Sequence, residues 1–135
     1  MKRGAELAPL SHDHHVALEH ALRLRRAEPG ELAVVVARFL AFLLADGRRH
    51  FAQEEELLAP ELPDAAAERL RAEHAAILRR AAALGEAPDV EAARALGELL
   101  SGHVRYEERD LFPLLEARLS AAELAELGER LALSA

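Results

Sequence analysis

His103-Val104-Arg105-Tyr106-Glu107-Glu108-Arg109-Asp110-Leu111-Phe112-Pro113 sets an imidazole four residues before a carboxylate. On a helix that spacing puts His103 and Glu107 on one face, one turn apart. The same spacing recurs in His50-Phe51-Ala52-Gln53-Glu54-Glu55. Two such pairs supply two nitrogens and two carboxylates able to bridge a pair of metal ions. A single pair of this kind is more often a solvated helix pair, so the reading turns on what faces these two.

The facing residues come from the helical pattern around them. Ala67, Leu70, His74, Ile77, Ala81 and Leu84 form one stripe, and Ala93, Leu96, Leu100, His103 and Glu107 another. Val36, Leu40, Leu43, Gly47, His50, Glu54 and Leu57 form a third; Leu7, Leu10, His14, Ala17, Ala21 and Leu24 form a fourth. Each apolar seam is broken by a His or a Glu. An unpaired buried charge is costly, so four helices with the same violation point to one shared site. Counted from the intervening turns at roughly 1.5 Å per residue, the four levels agree to within about 8 Å.

Four long helices joined by short turns predict an all-α, up-down-up-down four-helix bundle with a short fifth helix at the C-terminal end. Ser11 is expected to cap the first helix, which runs to about Ala27. The second runs from about Glu31 to Leu58, after the turn at Pro29-Gly30. Asp64 opens the third, and Gly85 fits the position just past its end. Pro88-Asp89 opens the fourth, which Pro113 must kink or end. Ser120-Ala121-Ala122-Glu123 is a capping box for a fifth helix over 121–131. No linker or low-complexity tract interrupts the chain, so residues 1–135 read as a single domain.

Composition narrows the function. The chain has 135 residues, enough for a real core. Its formal net charge of −7 argues against a nucleic-acid partner, because phosphate binding needs a basic face. The absence of cysteine removes disulfides, thiolate catalysis and iron–sulfur ligation. The most apolar run, Leu32 to Ala45, carries Arg38 and is too short to span a bilayer, so no membrane partner is expected. No apolar signal core follows Met1-Lys2-Arg3, and the expected location is cytoplasmic. Oligomeric state stays open.

Seven histidines are many for so small a chain. His14, His50, Glu54, His74, His103 and Glu107 are the candidate metal ligands. Within Ser11-His12-Asp13-His14-His15, His14 lies at the centre of the apolar arc and His15 about 100° away on its flank, as a neighbour or spare ligand. His12 and His20 are expected to face outward. Tyr106 is either a residue of the site or a packed flank tyrosine; Glu55 and Glu108 lie outside the ligand set. Bridging carboxylates with terminal imidazoles suit two iron or two manganese ions, and zinc less well.

The order His14, His50–Glu54, His74, His103–Glu107 resembles the hemerythrin-like, HHE cation-binding domain, in its H-HxxxE-H-HxxxE form. His50-Phe51 with Glu54-Glu55, and Glu107-Glu108 with Leu111-Phe112-Pro113, are similar to that family's signatures. The resemblance implies two non-haem iron ions bridged by Glu54 and Glu107, with the histidines as terminal ligands. It implies a small ligand: dioxygen, peroxide or nitric oxide. Oxygen-carrying relatives hold a further histidine where this chain has Leu78, which points toward reaction with such an oxidant rather than reversible carriage. A non-catalytic iron or oxygen sensor is the alternative. Relatives that repair iron–sulfur centres carry a cysteine-bearing N-terminal segment, and its absence is read against that role.

Overall fold

A computed structural model describes residues 4–134, and among them every regular element is helical. The first rod is α1, Ala8–Arg25. The second is α2, Leu32–Phe42, which passes through a π turn at Leu43–Gly47 into α3, Arg48–Gln53. A second π turn, Glu54–Leu58, and a 3₁₀ turn, Ala59–Glu61, complete it. The third rod is α4, Asp64–Glu86. The fourth is α5, Val90–Tyr106, continued through a third π turn, Glu107–Leu111, into α6, Phe112–Arg118. The four rods pack as a bundle, and α7, Ala121–Ser134, lies against the second π turn. No helix among the described residues is long and apolar enough to cross a membrane.

Several boundaries differ from expectation for identifiable reasons. α1 starts ahead of Ser11, with Pro9 in its first turn, where a missing N–H costs nothing. The Ser11 hydroxyl is therefore free to donate to Glu108, at 2.7 Å. The second rod is helical over its expected length but is widened twice. In the turn that starts at Glu54, the Ala59 N–H reaches back to the Glu54 carbonyl. The wider turn reduces the angle between successive side chains, so Leu57, Leu58 and Ala59 are all buried. Pro113 neither ends nor sharply breaks the fourth rod. The π turn ahead of it closes with the Phe112 N–H on the Glu107 carbonyl, and Pro113 enters the first turn of α6. Pro60 follows Glu54 at the same interval as Pro113 follows Glu107.

Gly85 is an ordinary residue inside α4 rather than its terminator, and no described glycine has positive φ. Asp64 is the first residue of α4, one position past the N-cap, which Pro63 holds without a side-chain bond. Asp89 does cap α5, accepting from the Ala92 N–H at 2.8 Å. The capping box forms in both directions, Ser120 N–H to Glu123 at 2.8 Å and Glu123 N–H to Ser120 at 3.1 Å, and α7 runs on to Ser134.

The core divides in two. One apolar cluster holds Leu24, Phe39, Ile77, Leu84, Leu96 and Leu100; the other holds Leu10, Leu58, Leu70, Leu111, Phe112 and Leu127. On α1, His14 falls between Leu10 of one cluster and Ala17 of the other; on α4, His74 falls between Leu70 and Ile77. His50 and Glu54 in the second rod, and His103 and Glu107 in the fourth, stand at the same boundary. The bundle therefore carries a polar layer between two apolar ones.

Close packing of α1 on α5 is set by Gly97. A Cβ built there would lie 2.7 Å from the Ala21 carbonyl oxygen and 2.9 Å from the Arg25 nitrogen, both backbone atoms that cannot swing aside. Gly102, on the same helix, has open space. Gly97→Ala should cost about 1–3 kcal/mol by forcing the two helices apart. Gly102→Ala should gain about 0.5–1 kcal/mol from helix propensity. Denaturant unfolding of both variants checks the opposite signs.

Candidate metal centre

The polar layer contains His14, His50, Glu54, His74, His103 and Glu107, all buried, with Glu54 and Glu107 fully enclosed. Every one of the six expected residues lies in it. They form two groups whose potential ligand atoms lie within 4.8 Å of one another: His14, His50, Glu54 and Glu107, and Glu54, His74, His103 and Glu107. The carboxylates belong to both groups. Glu54 approaches His74 Nε2 at 3.0 Å and His50 Nε2 at 3.1 Å. Glu107 approaches His14 Nε2 at 2.7 Å and His103 Nε2 at 3.5 Å.

Four of these atoms are unsatisfied. His50 Nε2, Glu54 Oε2, His103 Nε2 and Glu107 Oε2 are buried without a hydrogen-bond partner. His50 Nε2 and Glu54 Oε2 are close enough for a hydrogen bond but are not aligned for one. Orphaned nitrogen and oxygen donors converging on common points fit a metal pair and have no purpose in an apolar core.

Each imidazole is also gripped from behind. His14 Nδ1 donates to Glu108 at 2.6 Å, His50 Nδ1 to Asp13 at 3.2 Å, His74 Nδ1 to Glu55 at 2.8 Å and His103 Nδ1 to Glu73 at 2.7 Å. A ring whose Nδ1 is so occupied presents Nε2 inward. Glu55 and Glu108 stand behind the rings on their Nδ1 side; Asp13 and Glu73 were not anticipated. The missed signal is a repeat. Asp13-His14 with His50-x-x-x-Glu54-Glu55 is echoed by Glu73-His74 with His103-x-x-x-Glu107-Glu108. In each half the acid before the lone histidine holds the paired histidine of that half, and the acid after the glutamate holds the lone histidine of the other half.

Two other expectations need correction, and one open alternative is decided. His15 is exposed and does not join the layer. Tyr106 packs against the second apolar cluster, with the Arg69 guanidinium 3.6 Å above its ring, and so is the packed flank tyrosine. His20 is not simply on the surface: it stacks on Phe42, centroids 4.5 Å apart. His12 is exposed, as expected. Phe51 stacks on His74 at 4.0 Å and Phe112 on His14 at 5.5 Å, so phenylalanines wall the layer on two sides.

A cavity of about 80 Å³ reaches the layer from outside. Apolar side chains, including Ala17, Phe39, Leu43, Phe51, Leu100 and Val104, form most of it, and His14, His50, His103 and Glu107 line it where it meets the layer. The π turn at Leu43–Gly47 contributes to its wall.

Without a metal the layer is held by protons. Burial opposes charge on His14, but its bonds to Glu107 and Glu108 outweigh this and raise it to about 9. His50 is raised to about 10, burial again being overcome, chiefly by Glu54. His74 is raised against burial by Glu54 and Glu55. Glu54 is held well below its ordinary value despite burial, first by His50. Glu107 is pushed up to about 7 by burial and by the charge of Glu54.

The sequence model of one family, described as Hemerythrin HHE cation binding domain, matches residues 7–115. It matches a second time over residues 65–131, the stretch carrying the second half of the repeat. No curated protein and no solved structure matches the chain.

The protons of the layer predict the stability of metal-stripped protein. The contribution of His14 and His50 is complete below 6.5 and is lost as pH rises through about 9 and about 10. Glu107, raised from 4.5, acts in the same direction and loses its contribution as pH passes about 7. Glu54, depressed, contributes above 4.5 and loses its contribution as pH falls through its lowered value. The Tm of chelator-treated protein should therefore be highest in mild acid and fall steadily toward about pH 10. A Tm that climbs over that range would contradict the assignment.

Proposed function

The chain belongs to the hemerythrin HHE cation-binding domain family, and from that premise we propose that it is a non-haem di-iron protein that binds or reacts with a small oxidant. The observation that carries this reading is the sharing of Glu54 and Glu107 between two donor groups. His14 and His50 would hold one ion, His74 and His103 the other, and the two glutamates would bridge. Nitrogen and oxygen donors without thiolate, with paired carboxylates between imidazoles, suit two iron or two manganese ions and zinc less well, and membership of the family favours iron over manganese. Bound iron would supply Lewis acidity and electrons. The whole chain, residues 1–135, acts as one such domain, in the cytoplasm.

The residues of the chain do the rest. The apolar clusters on either side keep bulk water from the layer. The Nδ1 carboxylates fix which nitrogen of each ring faces inward. The cavity selects by size and polarity. At about 80 Å³ it is well below the roughly 150 Å³ that houses a benzene ring, so it admits a molecule of a few atoms. Its largely apolar wall suits dioxygen or nitric oxide, and peroxide at the polar end.

The test mixes iron-loaded, anaerobically reduced protein with dioxygen, nitric oxide and peroxide in a stopped-flow spectrometer. The parent should react with at least one of them through a saturable optical change. Ala17→Leu, which narrows the cavity away from the donor atoms, should keep its iron and react more slowly. Glu54→Ala and Glu107→Ala should each weaken metal binding by more than about 100-fold, beyond what loss of an outer partner does. His12→Ala and His15→Ala should bind as the parent does. Iron-loaded parent inert to all three ligands, or equal metal loss from all four of these alanine variants, would contradict the proposal.

A further inference from the structure

We propose that Asp13, Glu55, Glu73 and Glu108 are positioning residues that set the oxidation-state preference of the metal pair, and that Arg69 moderates them from the surface. This rests on the di-iron reading and goes beyond it. Every imidazole of the layer, without exception, donates Nδ1 to a carboxylate on another rod, at 2.6–3.2 Å. A backbone carbonyl or a water would orient the rings equally well. Four carboxylates add four negative charges behind the ligands of a centre that already holds Glu54 and Glu107.

The electrostatic consequence has a definite sign. A carboxylate hydrogen-bonded to Nδ1 makes the ring a stronger donor and places negative charge near the metal. Both favour the ferric over the ferrous ion and so lower the potential, since local net charge is one of the factors that set it. The four are partly screened, with side-chain exposure from 21% at Glu73 to 46% at Asp13, so each shifts the balance by a fraction of its unscreened effect. Glu73 is in addition ion-paired with Arg69, whose Nε lies 2.9 Å from its second oxygen. Along the line His103–Glu73–Arg69, a surface cation offsets one of the four charges.

The experiment compares midpoint potentials of the iron-loaded full chain in a spectroelectrochemical cell. The couple is the one-electron reduction of ferric to ferrous iron, with dithionite and ferricyanide as titrants. Asp13→Asn, Glu55→Gln, Glu73→Gln and Glu108→Gln keep an oxygen acceptor for Nδ1 and lose only the charge. Each should raise the midpoint, by up to a tenfold shift of the equilibrium toward ferrous iron, which is about 59 mV for one electron. Arg69→Gln should move the midpoint the other way, by less. A purely structural role cannot produce that reversal of sign. Carboxamide variants at the parental midpoint, or Arg69→Gln shifting upward, overturn the proposal and leave the di-iron reading standing. A parent that binds no iron overturns both. Where one carboxamide variant does not retain iron, the other three together with Arg69→Gln carry the test, with the same two outcomes.

Discussion

Six polar side chains at the centre of a helical bundle, with at most 8% of any residue exposed, are a heavy demand on a chain of this size. Buried charge is tolerated only where another group meets it. Here histidine meets glutamate across the layer, and each histidine meets a second carboxylate behind it. The pairing is incomplete, since four donor atoms still face inward without partners. The remainder of the bundle is arranged around that demand. The apolar core is split into two clusters that clasp the layer from either end, and no seam runs the full length of any rod uninterrupted.

The helix irregularities serve the same end. Glu54 and Glu107 each begin a π turn, and each is followed at the same distance by a proline. A π turn is rare, found mostly as a single turn inside an α-helix and frequently at functional sites. Here it re-aims the chain just past the shared carboxylate, so that the residues beyond it return to an apolar cluster. A straight α-helix would carry a different set of side chains inward. Proline at the end of the turn fits because its missing N–H falls where the next helix begins. The third π turn, Leu43–Gly47, lies in the wall of the cavity instead.

Much of this was legible in the sequence because it is written in helical spacing. The stripe Ala67, Leu70, His74, Ile77, Ala81, Leu84 is buried at every position. The one lapse in the stripe of the second rod is Leu40, half-buried while its neighbour Phe39 is enclosed. The six layer residues were found because a His or Glu inside an apolar seam violates a pattern. Asp13 and Glu73 were missed because they violate none: an acid beside an exposed helix face looks like an ordinary solvated residue. The π turns were also invisible, because a widened turn changes the hydrogen-bond register without changing composition. Ser11 was misplaced because a serine near a helix start suggests a cap, and only the fold reveals the competing partner, Glu108.

The central claim is that the layer is completed by two shared-ligand metal ions. The most direct measurement is metal analysis of protein purified from iron-replete cells, combined with X-ray absorption at the iron edge. The account predicts about two irons per chain, with a nitrogen- and oxygen-only shell and a second iron visible from the first. About one metal per chain, zinc in place of iron, or an isolated iron without a metal neighbour would contradict it.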